Sequence, residues 1–83
     1  MSLEQSLKTF IEENLIHDPA NRTVEFDEPL VERGVLDSMG LMNLIGFLEE
    51  RTGVRVPDED VLLENFATIN AIVATADRLK GAR

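Results

Sequence analysis

Apolar residues recur at helical spacing in three separate segments, and this periodicity limits the chain to a small helical fold. Within each segment they follow one another at intervals of three and four residues, which places them on one face of a helix. The predicted helices cover residues 3–16, 37–52 and 69–80. Val24 and Phe26 alternate with polar neighbours too briefly to build a sheet. We therefore predict an all-α fold.

Capping residues mark the ends of these helices. Ser2 and Gln5 have the spacing of a capping box at the start of the first helix. Asp37 is a favourable N-cap for the second helix, and Gly53 suits the left-handed residue that follows a helix. Thr68 is the expected N-cap of the last helix, so each predicted helix has a defined start.

A long loop, from His17 to Asp37, separates the first two helices and carries turn residues in place of helical periodicity. Loops of this length in compact domains are usually functional or anchored by their own apolar residues. The candidate anchors are Val24, Phe26, Leu30, Val35 and Leu36. Further on, the acids of residues 58–60 can cap a short helix at residues 61–64. We therefore expect a single domain, residues 1–83, built as a four-helix bundle with three long helices and one short one.

Composition excludes several classes of function. The 83 residues include 16 Asp and Glu against 8 Lys and Arg, a net charge of -8 that repels nucleic-acid phosphates and anionic membranes. Cysteine is absent and histidine occurs once, so no disulfide, thiolate nucleophile or Cys-based metal site is expected. The chain shows no signal-peptide pattern and no membrane-spanning apolar run. We expect a monomeric cytoplasmic protein with basic protein partners, no nucleic acid and no bound metal.

Two catalytic or metal-binding interpretations fail on residue spacing. A serine hydrolase built on Ser38 would need a glycine where Leu36 stands, and it would need a base, for which His17 is the only imidazole. A calcium loop at residues 58–64 has the wrong spacing and no central glycine. We expect those acids to be helix caps on a solvated face, and His17 to be a capping or surface residue.

Ser38 occupies an unusual position at the first turn of the second helix. It directly follows the acidic N-cap Asp37 and ends the long loop, so its hydroxyl is expected to be accessible to another protein. A helix N-terminus presents unpaired N–H groups and partial positive charge, which favour a phosphate there. Physical reasoning leaves two interpretations of Ser38 open: a phosphodiester modification site, or a serine that only helps to start the helix.

The residues around Ser38 resemble the acyl carrier protein family. That family's signature is an aspartate, the modified serine, and then leucine or methionine. The corresponding run here is Leu36-Asp37-Ser38-Met39. The resemblance continues in order through residues 44–50 of the second helix, residues 56–60 before the short helix, and the last helix from Thr68. It implies an acyl-carrier-like bundle in which Ser38 carries 4′-phosphopantetheine and Asp37 lies beside the attachment point.

The resemblance also implies a carrier role rather than catalysis. Thioester transfer needs a thiol, and a phosphopantetheine arm from coenzyme A would supply the sulfur that this chain lacks. The implied partners are a phosphopantetheinyl transferase, a ligase that loads an acyl or aminoacyl group, and downstream transferases. An alternative of another class is an unmodified acidic helical adaptor that binds partner proteins through the same face of the second helix.

The face of the second helix that points away from the core is the expected docking surface. Methionine side chains adapt to different partners, and acidic side chains raise the rate of encounter with basic surfaces. The predicted recognition residues are Met39, Met42, Asn43, Gly46, Glu49 and Glu50. Two alternatives remain open at this stage, namely that Met42 belongs to the core and that Glu49 is simply a solvated acid.

Some residues depart from the pattern of fatty-acid carriers. Gly40 and Asn43 stand where those proteins usually have acids, so the recognition face is less acidic and more apolar than theirs. The run Asp37-Ser38-Met39-Gly40 and the run from Glu64 to Ile69 resemble free-standing carriers, including aminoacyl carriers. Gly40 and Gly46 each cost ~1 kcal/mol of helix stability relative to alanine. We expect close approach by a partner or by the arm to explain both glycines. Phe47 is expected to wedge against the long loop or to narrow a cavity for an acyl chain.

Overall fold

A computed structural model describes residues 2–16, 20 and 23–81 of the chain. Within these residues there are three α-helices and no strand: α1 (Leu3–Asn14), α2 (Ser38–Thr52) and α3 (Ile69–Gly81). Two short 3₁₀ segments, Asp58–Asp60 and Leu63–Phe66, lie between α2 and α3. The predicted all-α class is confirmed for the described residues. No helix in these parts of the chain has the length and apolar character needed to cross a membrane.

Helix α1 begins as the capping residues predict but ends earlier than expected. The Ser2 hydroxyl accepts a hydrogen bond from the Gln5 N–H at 3.2 Å. At the other end, the N–H of Ile16 binds the Ile11 carbonyl at 3.1 Å, which is a wider turn than that of an α-helix. Leu15 and Ile16 thereby leave the helix while their side chains stay in the core. His17 lies outside the described residues, so its predicted role stays a prediction.

Helix α2 has the predicted ends, and one of its faces is buried. The Asp37 carboxylate accepts the N–H of Gly40 at 2.7 Å, and Gly53 ends the helix in the left-handed region with φ of 71°. The buried apolar side chains of this helix are Leu41, Leu44, Ile45 and Leu48. The N-cap and C-cap predictions are both confirmed, so the position of Ser38 at the first turn is as expected.

The core draws on all three helices and on the long loop. The large side chains with no exposed area are Leu7, Ile11, Val24, Leu30, Leu44, Leu48, Phe66, Ile69 and Ile72. Burying a side chain of this size stabilises a fold by about 1.5–3 kcal/mol. Because Val24 and Leu30 come from the loop, the prediction that its apolar residues anchor it is confirmed.

Two charged residues of α1 hold the first part of the loop. The Glu12 carboxylate accepts the Val24 N–H at 2.9 Å, and the Lys8 ammonium donates to the carbonyl of the same residue. Lys8 and Glu12 also form an ion pair at 2.9 Å. The N–H and the carbonyl of Val24 therefore both have hydrogen-bond partners, which are side chains one turn apart on α1.

The second part of the loop is fixed to the start of α3. The Leu30 N–H donates to the Ala67 carbonyl at 2.8 Å, and the Asn70 N–H donates to the Phe26 carbonyl at 3.0 Å. The Leu30 carbonyl in turn accepts the N–H of Val35 at 2.9 Å. The loop is therefore tied to α1 and to α3 before it delivers the chain to α2.

The short helix predicted at residues 61–64 is replaced by the two 3₁₀ segments, so the count of four helices is not confirmed. Leu62, between them, has an extended backbone. The reason is tertiary: the Asp60 carbonyl accepts a hydrogen bond from the Asn65 amide at 2.9 Å, and the Asp60 carboxylate accepts one from Arg78 of α3 at 2.9 Å. Asp60 is thus committed to other partners and does not cap a helix.

Candidate functional site

Ser38 is the first residue of α2 and is exposed. The first N–H groups of a helix have no partner within it, and here Asp37 takes the Gly40 N–H. The Leu41 N–H begins the helical ladder by donating to the Asp37 carbonyl at 2.7 Å. The structure therefore presents the Ser38 hydroxyl at the outer edge of a capped helix start, where a group transferred from another protein has access.

Gly40 is buried against the helix cap, which corrects the expected explanation for this glycine. A Cβ atom at Gly40 would lie 3.2 Å from the Asp37 Oδ1 atom and 3.6 Å from methyl carbons of Leu15 and Leu36. A side chain at Gly40 would crowd its own chain, so packing within the chain gives this glycine a reason that needs no partner and no arm. Gly40 thus allows Asp37 to bind tightly beneath Ser38.

The two methionines of the predicted docking surface are exposed. Met39 is 78% exposed and Met42 is 63% exposed, so the alternative that Met42 belongs to the core is wrong. The predicted recognition residues Asn43, Gly46 and Glu50 are exposed as well. We call the face formed by these five residues the α2 face. Its role in docking stays a prediction.

Glu49 differs from the other predicted recognition residues because its carboxylate is engaged within the chain. It accepts the Val56 N–H at 2.9 Å and lies 4.0 Å from the Arg55 Nε atom. Its side chain is 31% exposed. Glu49 therefore ties the segment after α2 to that helix, while its predicted part in docking remains untested.

Phe47 packs against α1, a contact that was not expected, while its expected contact with the long loop or with a cavity stays a prediction. Its ring stacks on Phe10 with the ring centroids 4.3 Å apart and the planes 22° from parallel. Stacked aromatic pairs add about 0.5–1.5 kcal/mol to the stabilisation from burial alone. Helical periodicity did not predict this pair, because it does not define how two helices are placed against each other.

Two open grooves lie beside the Phe10–Phe47 stack, and sequence reasoning did not identify them. One has a volume of about 290 Å³ and the other about 540 Å³. The residues common to both are Phe10, Asn14 and Phe47. The smaller groove extends to Glu13 and Arg51, and the larger one extends to the α2 face. We call the combined depression the α1–α2 groove.

The described residues provide an exposed serine hydroxyl, that of Ser38, to which a group can be transferred. They also provide surfaces that a partner protein can contact. Among residues 2–16, 20 and 23–81, no three His, Asp or Glu side chains are grouped so that they could hold a metal ion. Ser38 is exposed, and the neighbouring Asp37 is engaged as a helix cap. This arrangement suits a serine that receives a group from a separate enzyme.

Comparison with known proteins agrees with this geometry. Residues 5–76 match the family model described as "Phosphopantetheine attachment site". The chain is similar to the D-alanyl carrier protein of Streptococcus sanguinis (strain SK36), with 35% identity over 82 residues, 99% of this chain and 100% of that protein. It is also similar to the D-alanyl carrier protein of Streptococcus suis (strain 05ZYH33), with 35% identity over 74 residues, 89% of this chain and 90% of that protein.

Proposed function

Since this chain belongs to the family of carrier proteins that bear phosphopantetheine, we propose that Ser38 is its attachment point and that the loaded group is aminoacyl. Proteins of this family are substrates of modifying enzymes and are not catalysts. The observation that carries the assignment is the exposed Ser38 hydroxyl at the first turn of α2, inside the matched residues. When bound, phosphopantetheine supplies the thiol that a thioester needs.

The residues around Ser38 fit a phosphodiester. The N-terminus of α2 carries partial positive charge, which favours the negative phosphate. Asp37 keeps the helix start in place through the Gly40 N–H, and the loop before it is tied to α1 and α3. Ser38 therefore holds the arm at a defined point, on a helix whose exposed side is the α2 face.

An aminoacyl cargo, such as a D-alanyl group, is the form of this function that the relatives favour. The neutral residues Gly40 and Asn43, at positions where fatty-acid carriers usually have acids, support the same choice. In this proposal residues 1–83 act as one monomeric carrier domain in the cytoplasm, with Asp58–Phe66 in the place of the family's short helix. A phosphopantetheinyl transferase, an aminoacyl-loading ligase and downstream transferases act on it in turn.

The α2 face supports a second candidate, an unmodified adaptor, because the exposed Met39 and Met42 can contact a partner protein directly. Covalent mass distinguishes the two functions. We would incubate the chain with coenzyme A, magnesium and a broad-specificity phosphopantetheinyl transferase, and record its intact mass. The expected result is a gain of one phosphopantetheine unit.

Serine-to-alanine substitutions test which serine carries the modification. Ser38→Ala is expected to abolish the mass gain while the circular dichroism spectrum stays unchanged. Ser2→Ala is the matched control, because Ser2 is also an exposed serine at the start of a helix, and this variant is expected to gain the full mass. Labelling of Ser38→Ala would refute the site, and no labelling of the folded wild-type chain would favour the adaptor.

A further inference from the structure

We propose that residues 23–25 of the long loop open and close as one unit on the folded chain, and that two ion pairs, one on each side of them, act together to keep them closed. The pairs are Lys8–Glu12 of α1 and Glu28–Arg33 of the loop. We call residues 23–25 the strap. The proposal does not depend on the carrier function, because it concerns how the loop is held.

On the side of α1, one ion pair binds both backbone groups of the middle residue of the strap. The Val24 N–H donates to the Glu12 carboxylate at 2.9 Å, and the Val24 carbonyl accepts from the Lys8 ammonium. The side chains of Lys8 and Glu12 are 24% and 25% exposed, so water screens them only in part. Hydrogen bonds to charged groups are stronger than those between neutral groups, and this pair therefore holds Val24 firmly.

A second ion pair binds the two flanking residues of the strap. The Glu25 N–H donates to the Glu28 carboxylate at 3.0 Å, and the Thr23 carbonyl accepts from the Arg33 guanidinium at 2.7 Å. Glu28 and Arg33 also bind each other, and their side chains are 23% and 18% exposed. In both pairs the carboxylate takes a backbone N–H and the cation takes a backbone carbonyl.

This division of contacts is that of a strand between two neighbouring strands. Residues 23–25 lie in no helix or turn, and only the middle one is buried, which is typical of an extended segment. In a strand, the N–H and carbonyl of one residue face one neighbour, and the groups of the flanking residues face the other. Each ion pair thus stands in the place of a neighbouring strand.

The two ion pairs also act on each other across the strap. Burial acts to raise the pKa of Glu12, but the hydrogen bonds from Val24 and Lys8 outweigh it. Arg33, of the second pair, lowers this pKa as well. The charged groups that face Glu12 are therefore Lys8 on its own helix and Arg33 on the loop. Loss of either pair is expected to weaken the contacts of the other.

A backbone hydrogen bond marks where the strap ends. The Phe26 carbonyl accepts the Asn70 N–H at 3.0 Å, so the chain is fixed to α3 one residue after Glu25. Opening of the strap needs the loss of the side-chain contacts and of the burial of Val24, while the hydrogen bonds within the helices remain. Such a local opening costs less free energy than unfolding of the whole chain.

Amide hydrogen exchange of the wild-type chain measures this opening. We expect the Val24 and Glu25 amides to have equal protection factors, roughly tenfold or more below that of Ile72, which donates to Thr68 at 3.0 Å in the last helix. Low concentrations of urea are expected to lower the protection of Ile72 steeply and that of the strap little, because opening the strap exposes little surface. Equal protection and equal urea dependence at all three amides would overturn the proposal, and so would unequal protection within the strap.

Substitutions on one side of the strap are measured on the other side. Glu28→Ala is expected to lower the protection factor of the Val24 amide about tenfold, although the Glu28 carboxylate binds Glu25. Glu12→Ala is expected to lower that of the Glu25 amide about thirtyfold, although the Glu12 carboxylate binds Val24. If a substitution lowers protection only at the amide that its own carboxylate binds, the contacts are independent and the strap is not one unit.

Matched controls remove an acid without touching the strap. Glu32→Ala removes an exposed acid of the same loop, and Glu13→Ala removes an exposed acid of α1. Both are expected to leave the two protection factors within about twofold of the wild type. Losses as large as those of the Glu12 and Glu28 variants would show an effect of net charge and would overturn the assignment to the two ion pairs.

Acid is expected to open the strap through Glu12. A carboxyl group with a lowered folded-state pKa stabilises the closed form above its unfolded pKa, and this stabilisation is lost as the pH falls through the folded pKa. The protection factor of the Glu25 amide is therefore expected to fall over this range, and to fall less in Glu12→Gln. The same pH dependence at Glu25 in the wild type and in Glu12→Gln would refute the coupling between the two sides.

Discussion

Removing the Glu12 carboxylate is expected to lower the free energy of unfolding by far more than an ordinary ion pair on a helix contributes. By position alone, Lys8 and Glu12 are an ordinary i,i+4 ion pair on a helix, and such pairs contribute about 0.3–0.5 kcal/mol. In the structure the same carboxylate also accepts the N–H of Val24, a residue with no exposed area. Glu12 therefore holds a loop in place as well as pairing with a neighbour.

The magnitude follows from the two contacts. Leaving the Val24 N–H without its partner costs about 1–3 kcal/mol, and losing the partly exposed pair with Lys8 costs about 0.5 kcal/mol. We expect Glu12→Ala to lower the free energy of unfolding by about 2 kcal/mol, and the melting temperature by about 10 °C for a domain of this size. Glu12→Gln keeps an acceptor oxygen, so its cost is expected to be about 1 kcal/mol.

The contribution of Glu12 also depends on pH. Burial acts to raise the pKa of Glu12, but the hydrogen bond from Val24 and the interactions with Lys8 outweigh it, so the pKa lies below its ordinary value. A carboxyl group with a lowered pKa in the folded state stabilises that state above its unfolded pKa, and the stabilisation is lost as the pH falls through the folded pKa. The difference between wild type and Glu12→Gln is therefore expected to shrink in acid.

Urea unfolding followed by circular dichroism, at neutral pH and in a series of acidic buffers, measures these differences. Glu13→Ala is the matched control, because it removes the adjacent acid, which is exposed. We expect that variant to stay within about 0.5 kcal/mol of the wild type. Equal effects of the Glu12 and Glu13 substitutions would refute the reasoning that the carboxylate anchors the loop.

Two further predictions concern the start of α2. Asp37→Ala is expected to lower the free energy of unfolding by about 1 kcal/mol in chemical denaturation, because the Gly40 N–H loses its side-chain acceptor; an unchanged midpoint would contradict the importance of this cap. Gly40→Ala is expected to destabilise the chain by about 1 kcal/mol, the opposite sign to Gly46→Ala, because its Cβ would crowd the Asp37 carboxylate at 3.2 Å. Melting curves of the two glycine variants give both signs, and a more stable Gly40→Ala chain would contradict the packing argument.

The local patterns of the sequence were sufficient to predict the helices and the position of Ser38. Asp37 and Gly53 delimit α2 in the structure as their capping properties predict, because these contacts form within a few residues of chain. The buried positions of the loop, such as Leu30, were also predictable, since a large apolar residue in a long loop needs a place in the core.

Contacts between distant residues explain what the sequence did not predict. Two 3₁₀ segments replace the predicted short helix, and Asp60 there pairs with Arg78, eighteen residues later, a contact that no local pattern predicts. The Phe10–Phe47 stack and the groove beside it depend on how α1 and α2 are placed together, which helical periodicity leaves undefined. Glu49, which the sequence predicts to be a recognition residue or a solvated acid, accepts the Val56 N–H, and no local pattern predicts that bond.

The double attachment of the long loop has a consequence for delivery of the cargo. Since the chain before Ser38 is bonded to α1 through Val24 and to α3 through Phe26, the loop would add little length to the arm that we propose is attached at Ser38. The reach of the cargo is then set by the arm alone. A short flexible tether on a fixed origin holds its end group at an effective concentration in the millimolar range near the bound enzyme. A more mobile loop would enlarge the volume that the thiol samples, and the effective concentration of the thiol at each active site would then fall.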